Sequence, residues 1–172
     1  MESTFDTRGE ISLRPVQDCD EAFLLKVFAS TREAERDAVR WEVAEWKMFI
    51  QLQSRGQHAQ YAIRFPTAAY DIILCNSEPV GRIWVHHASD EILLLDIAIL
   101  PEYRSRGIGT YLIKGLQESA RAACVPLRHS VELTNPRARM LYERLGFVAI
   151  ATSGLHTLMQ WMPSDDAREA KK

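Results

Sequence analysis

The feature that most constrains the fold is an abrupt change of hydrophobic period near the middle of the chain. Residues Ile92–Leu100, ILLLDIAIL, form a nearly continuous apolar run broken only by Asp96. A run of this length and β-branched content predicts a strand buried on both faces, hence a central one. It stops at Pro101. The segment PEYRSRGIG follows, and from Thr110 to Ala123 the apolar residues Leu112, Ile113, Leu116 and Ala120 recur at helical spacing. A buried strand, a glycine-containing loop and an amphipathic helix in that order require a layered α/β arrangement.

The rest of the chain supplies further layers. Ile11–Arg14 alternates and stops at Pro15, which predicts a short strand. Asp18 and Asp20 are candidate caps for a helix carrying Phe23, Leu24, Val27 and Phe28. The charge-rich stretch from Ser30 to Ala44 reads as a solvated helix face or a connection. A further helix is expected over 43–61, with Trp46, Phe49, Ile50 and Gln53 along one side and Gly56 as an interruption. Tyr70–Cys75 and Val80–His87 read as a hairpin joined through Asn76-Ser77-Glu78-Pro79. Leu127–Leu133 is another strand. Asn135-Pro136 opens a helix, Asn as cap and Pro at the first position. Ala138, Leu141, Tyr142 and Leu145 share its apolar face, and Gly146 stops it. Phe147–Ala151 and His156–Met162 close the sheet.

At 172 residues the chain suits one domain, with 47% hydrophobic and 26% charged residues. The expected boundaries are a flexible 1–10, a folded 11–163 and a flexible polar 164–172. A net charge of -2 argues against a dedicated nucleic-acid binder. No apolar stretch approaches the ~20 residues that span a bilayer, and the first residues contain no secretory h-region. Cys19, Cys75 and Cys124 are widely spaced, which fits buried thiols in a reducing cytoplasm better than a disulfide framework or a zinc ribbon. No metal is expected.

Two segments carry chemistry. In Arg104-Ser105-Arg106-Gly107-Ile108-Gly109-Thr110, the glycines let backbone amides approach a ligand, and the following helix start offers free N–H groups and a positive dipole end. With the two arginines this makes an anion site suited to a pyrophosphate. Read alone, it is equally a tight turn with surface arginines. It matches neither G-x-G-x-x-G, because Leu112 stands at the third glycine, nor a P-loop. The other segment is Asn135 to Phe147. There Tyr142 lies on the apolar side of its helix, and a buried Tyr needs a partner for its hydroxyl.

Together, DIAILPEYRSRGIGTYLI and NPRARMLYERLGF resemble the GCN5-related N-acetyltransferase (GNAT) superfamily. The former resembles its acyl-CoA signature, carried by Arg104, Gly107 and Gly109. The latter resembles its C-terminal motif, carried by Asn135, Ala138, Leu141, Tyr142, Gly146 and Phe147. The motifs cover roughly residues 92–150. The resemblance implies one central mixed, mostly antiparallel sheet with helices on both faces, acetyl-CoA as acyl donor, and direct transfer to an amine. It implies that the central strand splays from Leu127–Leu133, that the pantetheine arm bonds to amides near Ile97, Ala98 and Ile99, and that the pyrophosphate lies on the amides of Arg104 to Gly109. Asn135 would help hold the arm. Tyr142 would direct its hydroxyl at the sulfur, where a phenol with a pKa of about 10 can protonate a departing thiolate with a pKa of about 8.5.

The attacking amine must be neutral, so a base is needed. Leu93 occupies the central-strand position that is Glu in histone-acetylating members. Ser130 stands where some ribosomal-protein N-terminal acetylating members have Glu. Asp96 is the first candidate, since it interrupts an apolar run on the cofactor strand; Glu91, Glu132, His86, His87 and His129 are the others. Trp41, Trp46, Phe49, Tyr61, Phe65 and Tyr70 are expected either to line an acceptor pocket or to be core. The acceptor is an amine of a small molecule or a protein. A homodimer is compatible with the superfamily. Two rival readings are a non-catalytic acyl-CoA-binding or sensing module and an interaction domain whose glycine loop is structural.

Overall fold

A computed structural model describes residues 9–39 and 41–164. The expected flexible ends fall almost wholly outside the described residues. The strands are β1 (Ile11–Pro15), β2 (Ala69–Cys75), β3 (Glu78–His87), β4 (Ile92–Ile99), β5 (Leu127–Glu132), β6 (Val148–Ser153) and β7 (His156–Trp161). The helices are α1 (Glu21–Ser30), α2 (Glu33–Val39), α3 (Val43–Arg64), α4 (Ile108–Ala123) and α5 (Pro136–Arg144). The strands form one seven-stranded mixed sheet in the order β1-β2-β3-β4-β5-β7-β6. β1–β2, β5–β7 and β6–β7 are antiparallel, whereas β4–β5 is parallel. Within this sheet the chain divides into two compact units, 1–84 with 96–106, and 85–95 with 107–172.

In the first unit, β2 and β3 join through Asn76 and Ser77, whose φ angles of 50° and 67° are those of a tight hairpin turn that twists with its strands. Gly81 of β3 lies where a Cβ would collide with the carbonyl oxygen of Ala98 and sit 3.1 Å from the Ile99 Cα. Only glycine permits that approach to β4. One apolar cluster joins Val27, Ala98 and Leu100, and another joins Phe28, Trp46 and Ile50.

Three local expectations are corrected here. Asp20 makes no side-chain cap on α1. Its carboxylate instead accepts two 2.7 Å hydrogen bonds from Arg14 and one of 2.8 Å from the Gln17 amide, closing a 3-10 turn ahead of the helix. The Arg14 hydrogen bonds, against the cost of burial, hold the Asp20 pKa down at about 2. Gly56 does not interrupt α3, which runs unbroken to Arg64. Gln53 is exposed, while Trp46 and Ile50 are buried and Ser54 and Gln57 half-buried. The buried side runs in steps of four, four and three and passes Gln53 by.

In the other unit, α4 buries Ile108, Leu112, Ile113, Gln117 and Ala120. The buried Gln117 amide is satisfied, donating to the Leu145 carbonyl at 2.8 Å. Asn135 caps α5 as expected, its Oδ1 accepting from the Ala138 amide at 3.0 Å. Gly146 follows with φ of 85°.

Candidate active site

The glycine loop ends in a helix start whose first amides lie ahead of the helical ladder. Gly107 is the N-cap of α4 with φ of 83°, in the left-handed region that favours glycine. Ser105 shares that region at 63°. The helical bond to Gly107 O comes from Tyr111, at 2.9 Å. The amides of Ile108, Gly109 and Thr110 therefore precede the helical ladder, and the helix dipole adds partial positive charge there. This is local geometry that an anion can use.

The arginines of the loop have partners of their own. In the first unit Arg104 donates through Nε to the Ile99 carbonyl at 2.7 Å, and through Nη2 to Ser30 O at 3.0 Å and Ser30 Oγ at 3.2 Å. Arg106 donates to the Glu102 carbonyl at 2.8 Å and lies over the Tyr103 ring at 5.0 Å. Both guanidinium groups bond to backbone carbonyls of the first unit and keep their charge there.

In the other unit the parallel β4–β5 ladder pairs Ile92 with Leu127, Leu93 with Arg128 and Leu94 with His129. Its register ends there, although β5 runs on to Glu132 and β4 to Ile99. At this last pair the His129 Nδ1 lies 2.6 Å from the Leu94 carbonyl oxygen. The His129 ring centroid is 4.6 Å from that of Tyr142, and Phe147 meets Tyr142 edge-on at 5.2 Å. Tyr142 is 2% exposed.

Among the other candidate bases, Glu91 pairs with Arg128 at 2.7 Å and Glu132 faces His156 at 4.0 Å. His86 is half-buried and His87 exposed at the end of β3. Asp96 has a partner that sequence reasoning missed. Its Oδ2 is 2.8 Å from Nε of Arg82, a side chain 4% exposed. The Nε–H is not aligned on that oxygen, so the contact is an ion pair more than a hydrogen bond. Arg82 also donates to Gln57 Oε1 at 2.9 Å and stands over the Phe28 ring at 5.3 Å. Burial opposes its charge, but Asp96 and then Tyr70 outweigh that and raise its pKa above the ordinary value. Burial likewise raises the Tyr70 hydroxyl, with Arg82 opposing. The signal for the pair was present: Arg82 and Asp96 are the charged residues inside the apolar cores of two successive strands.

Beside Arg82, the first unit holds a cleft of about 440 Å³ bordered by Asp18, Gln57, His58, Tyr70 and Trp84. Tyr70 stacks on Trp84 with centroids 4.1 Å apart, and His58 tilts against Trp84 at 5.2 Å. Of the six aromatic residues singled out in the sequence, Tyr70 alone borders this cleft. Trp41 and Trp46 each stack on Phe49 and tilt against one another around the Phe28 cluster. Tyr61 packs edge-on against Trp84 at 5.0 Å. Phe65 ends α3 under Arg64. Trp46 is core, with Trp41 and Phe49 half-buried against the same cluster.

A mixed sheet with a parallel β4–β5 pair that ends early, and a glycine loop leading into a helix, define the GNAT class of fold. Residues 67–149 match the family model "Acetyltransferase (GNAT) domain". Solved structures agree in fold. The PaiA N-acetyltransferase from Thermoplasma acidophilum in complex with coenzyme A is similar with a TM-score of 0.67 and 18% identity, over 89% of this chain and 99% of that one. An acetyltransferase from Thermus thermophilus gives 0.64 and 19%, over 90% and 98%. An acetyltransferase of the GNAT family from Streptococcus pneumoniae gives 0.58 and 20%, over 90% and 100%. No curated protein matches the chain in sequence. Among the described residues, no helix is long and apolar enough to cross a membrane.

Proposed function

We propose that residues 11–163 form an acetyl-CoA-dependent N-acetyltransferase that passes the acetyl group directly to an amine of a small molecule or a protein. The observation that carries this reading is the start of α4, where left-handed Gly107 precedes three amides outside the helical ladder, inside the segment that matches the family. The pyrophosphate takes the amides of the 104–110 loop: Arg104, Ser105, Arg106, Gly107, Ile108, Gly109 and Thr110. The arm bonds to the backbone of Ile97, Ala98 and Ile99, and the Asn135 amide nitrogen is available to it, since Oδ1 serves the helix cap. Backbone amides there polarise the thioester carbonyl and stabilise the developing oxyanion. Tyr142 is the general acid that protonates the departing thiolate. Asp96, oriented by Arg82, takes the proton from the attacking amine directly or through water. Cys75 is buried, Cys124 half-buried and Cys19, against the expected burial, exposed; thiols at these positions fit a cytoplasmic setting.

Calorimetric titration with acetyl-CoA, with free CoA as comparison, tests the donor half. Saturable one-to-one binding is expected. No heat and no thermal stabilisation at millimolar ligand would end the reading. The Arg82 ion pair also gives Asp96 a structural partner, which favours an alternative reading, a non-catalytic acyl-CoA-binding module. Amine-dependent release of free thiol eliminates it.

A further inference from the structure

We propose that His129 is the positioning residue for Tyr142. This rests on the general-acid reading of Tyr142. It gives His129, a candidate base by sequence, a different task.

A carbonyl oxygen can only accept, so the 2.6 Å contact to Leu94 requires that Nδ1 carry the proton. In the neutral ring the lone pair is then on Nε2. This is the less common tautomer of a free imidazole, and the bond to the Leu94 carbonyl selects it. The same bond fixes the plane of the ring. Leu94 and His129 are the last registered pair of the parallel ladder, so the imidazole is anchored where the two strands cease to pair. From that anchor its ring lies 4.6 Å from the Tyr142 ring at an interplanar angle of 39°. Phe147 meets Tyr142 at 73°. Tyr142 is thus held between a pinned imidazole and an aromatic edge, which restricts where its hydroxyl can point. A general acid gains from such restriction, because a displacement on the order of 1 Å can cost 10²-fold in rate.

Two variants divide the role. His129→Asn can still donate to the Leu94 carbonyl but removes the ring from Tyr142. His129→Phe keeps a ring and loses the anchor. Protein-dependent thiol release from acetyl-CoA is measured with butylamine, and with water alone, in each variant, in Tyr142→Phe and in the double variant His129→Asn/Tyr142→Phe. His129→Asn and His129→Phe are each expected to lower kcat about tenfold, with KM for acetyl-CoA within about twofold. In the Tyr142→Phe background, His129→Asn is expected to have no further effect, because it acts through the hydroxyl that is gone. An additive loss in the double variant overturns the positioning role and leaves the general-acid reading intact. Unchanged kcat in Tyr142→Phe, or no release by the wild type, overturns both. Nitrogen-15 spectra of the full chain, assigned by the signal missing in His129→Asn, give an independent readout. The Nδ1–H tautomer is expected, and an Nε2–H tautomer would refute the anchor.

Discussion

The guanidinium of Arg82 on β3 stands 2.8 Å from the carboxylate of Asp96 on β4, with 4% and 19% of the two side chains exposed. Each residue alone would be a costly charge inside an apolar strand. Removing one partner leaves the other uncompensated, a loss of about 3–5 kcal/mol for buried pairs. Arg82→Leu is therefore expected to lower stability strongly in chemical denaturation, and the double variant Arg82→Leu/Asp96→Leu to recover much of that loss. Asp96→Asn separates packing from chemistry. Assayed well below its melting temperature, it is expected to lose about 10²-fold or more in kcat. Normal turnover there would remove Asp96 from the reaction.

Tyr142→Phe keeps the ring between His129 and Phe147 and deletes the hydroxyl. Calorimetry should find acetyl-CoA affinity little changed. Turnover should fall by about 10²–10⁴-fold, the usual worth of a positioned proton donor. Equal turnover at several pH values would exclude the general-acid role.

At Gly107, with φ of 83°, any side chain strains the backbone that presents the first amides of α4. Gly107→Glu adds a negative charge at the place proposed for a pyrophosphate. Loss of detectable acetyl-CoA binding is expected by calorimetry, with the circular dichroism spectrum of the fold retained. Normal affinity would move the anion site elsewhere.

Asp20 makes stability depend on acid. The Arg14 hydrogen bonds hold its carboxyl at about 2, whereas an unfolded Asp titrates at about 3.9. The folded state therefore binds fewer protons across this window. The stabilisation is fully present above about pH 4 and disappears as the pH falls towards 2. Urea denaturation should show wild type more stable than Asp20→Asn at pH 6. The gap should close as the pH is lowered to about 2. A gap independent of pH would mean that the wild-type advantage does not come from the ionised carboxylate.

Much of the layout was legible in the chain because it depends on short-range signals. The period change after Leu100, the Asn135-Pro136 start and the Asn76-Ser77 turn each act over a few residues, and β4, α4, α5 and the hairpin form where those signals put them. The motifs that resemble the GNAT superfamily are legible for the same reason, since the loop and the α5 helix are continuous segments. Asp20 and α3 mark the limit. A cap and a bonding partner look alike in sequence until Arg14 is seen beside Asp20. The polar face of α3 shifted because burial chose Ser54 and Gln57 over Gln53.

By itself the sequence determined the order of elements, the glycine-led helix start and the tyrosine that follows it in α5. Only the tertiary structure decided which groups meet: Arg82 with Asp96, and His129 with both Leu94 and Tyr142. It also turned the two loop arginines onto their own backbone and placed Trp84 beside the cleft instead of the α3 aromatics. The reason is physical. Periodicity and turn chemistry report on neighbours along the chain, whereas the partner of a buried charge or ring is set by strand register and packing across tens of residues.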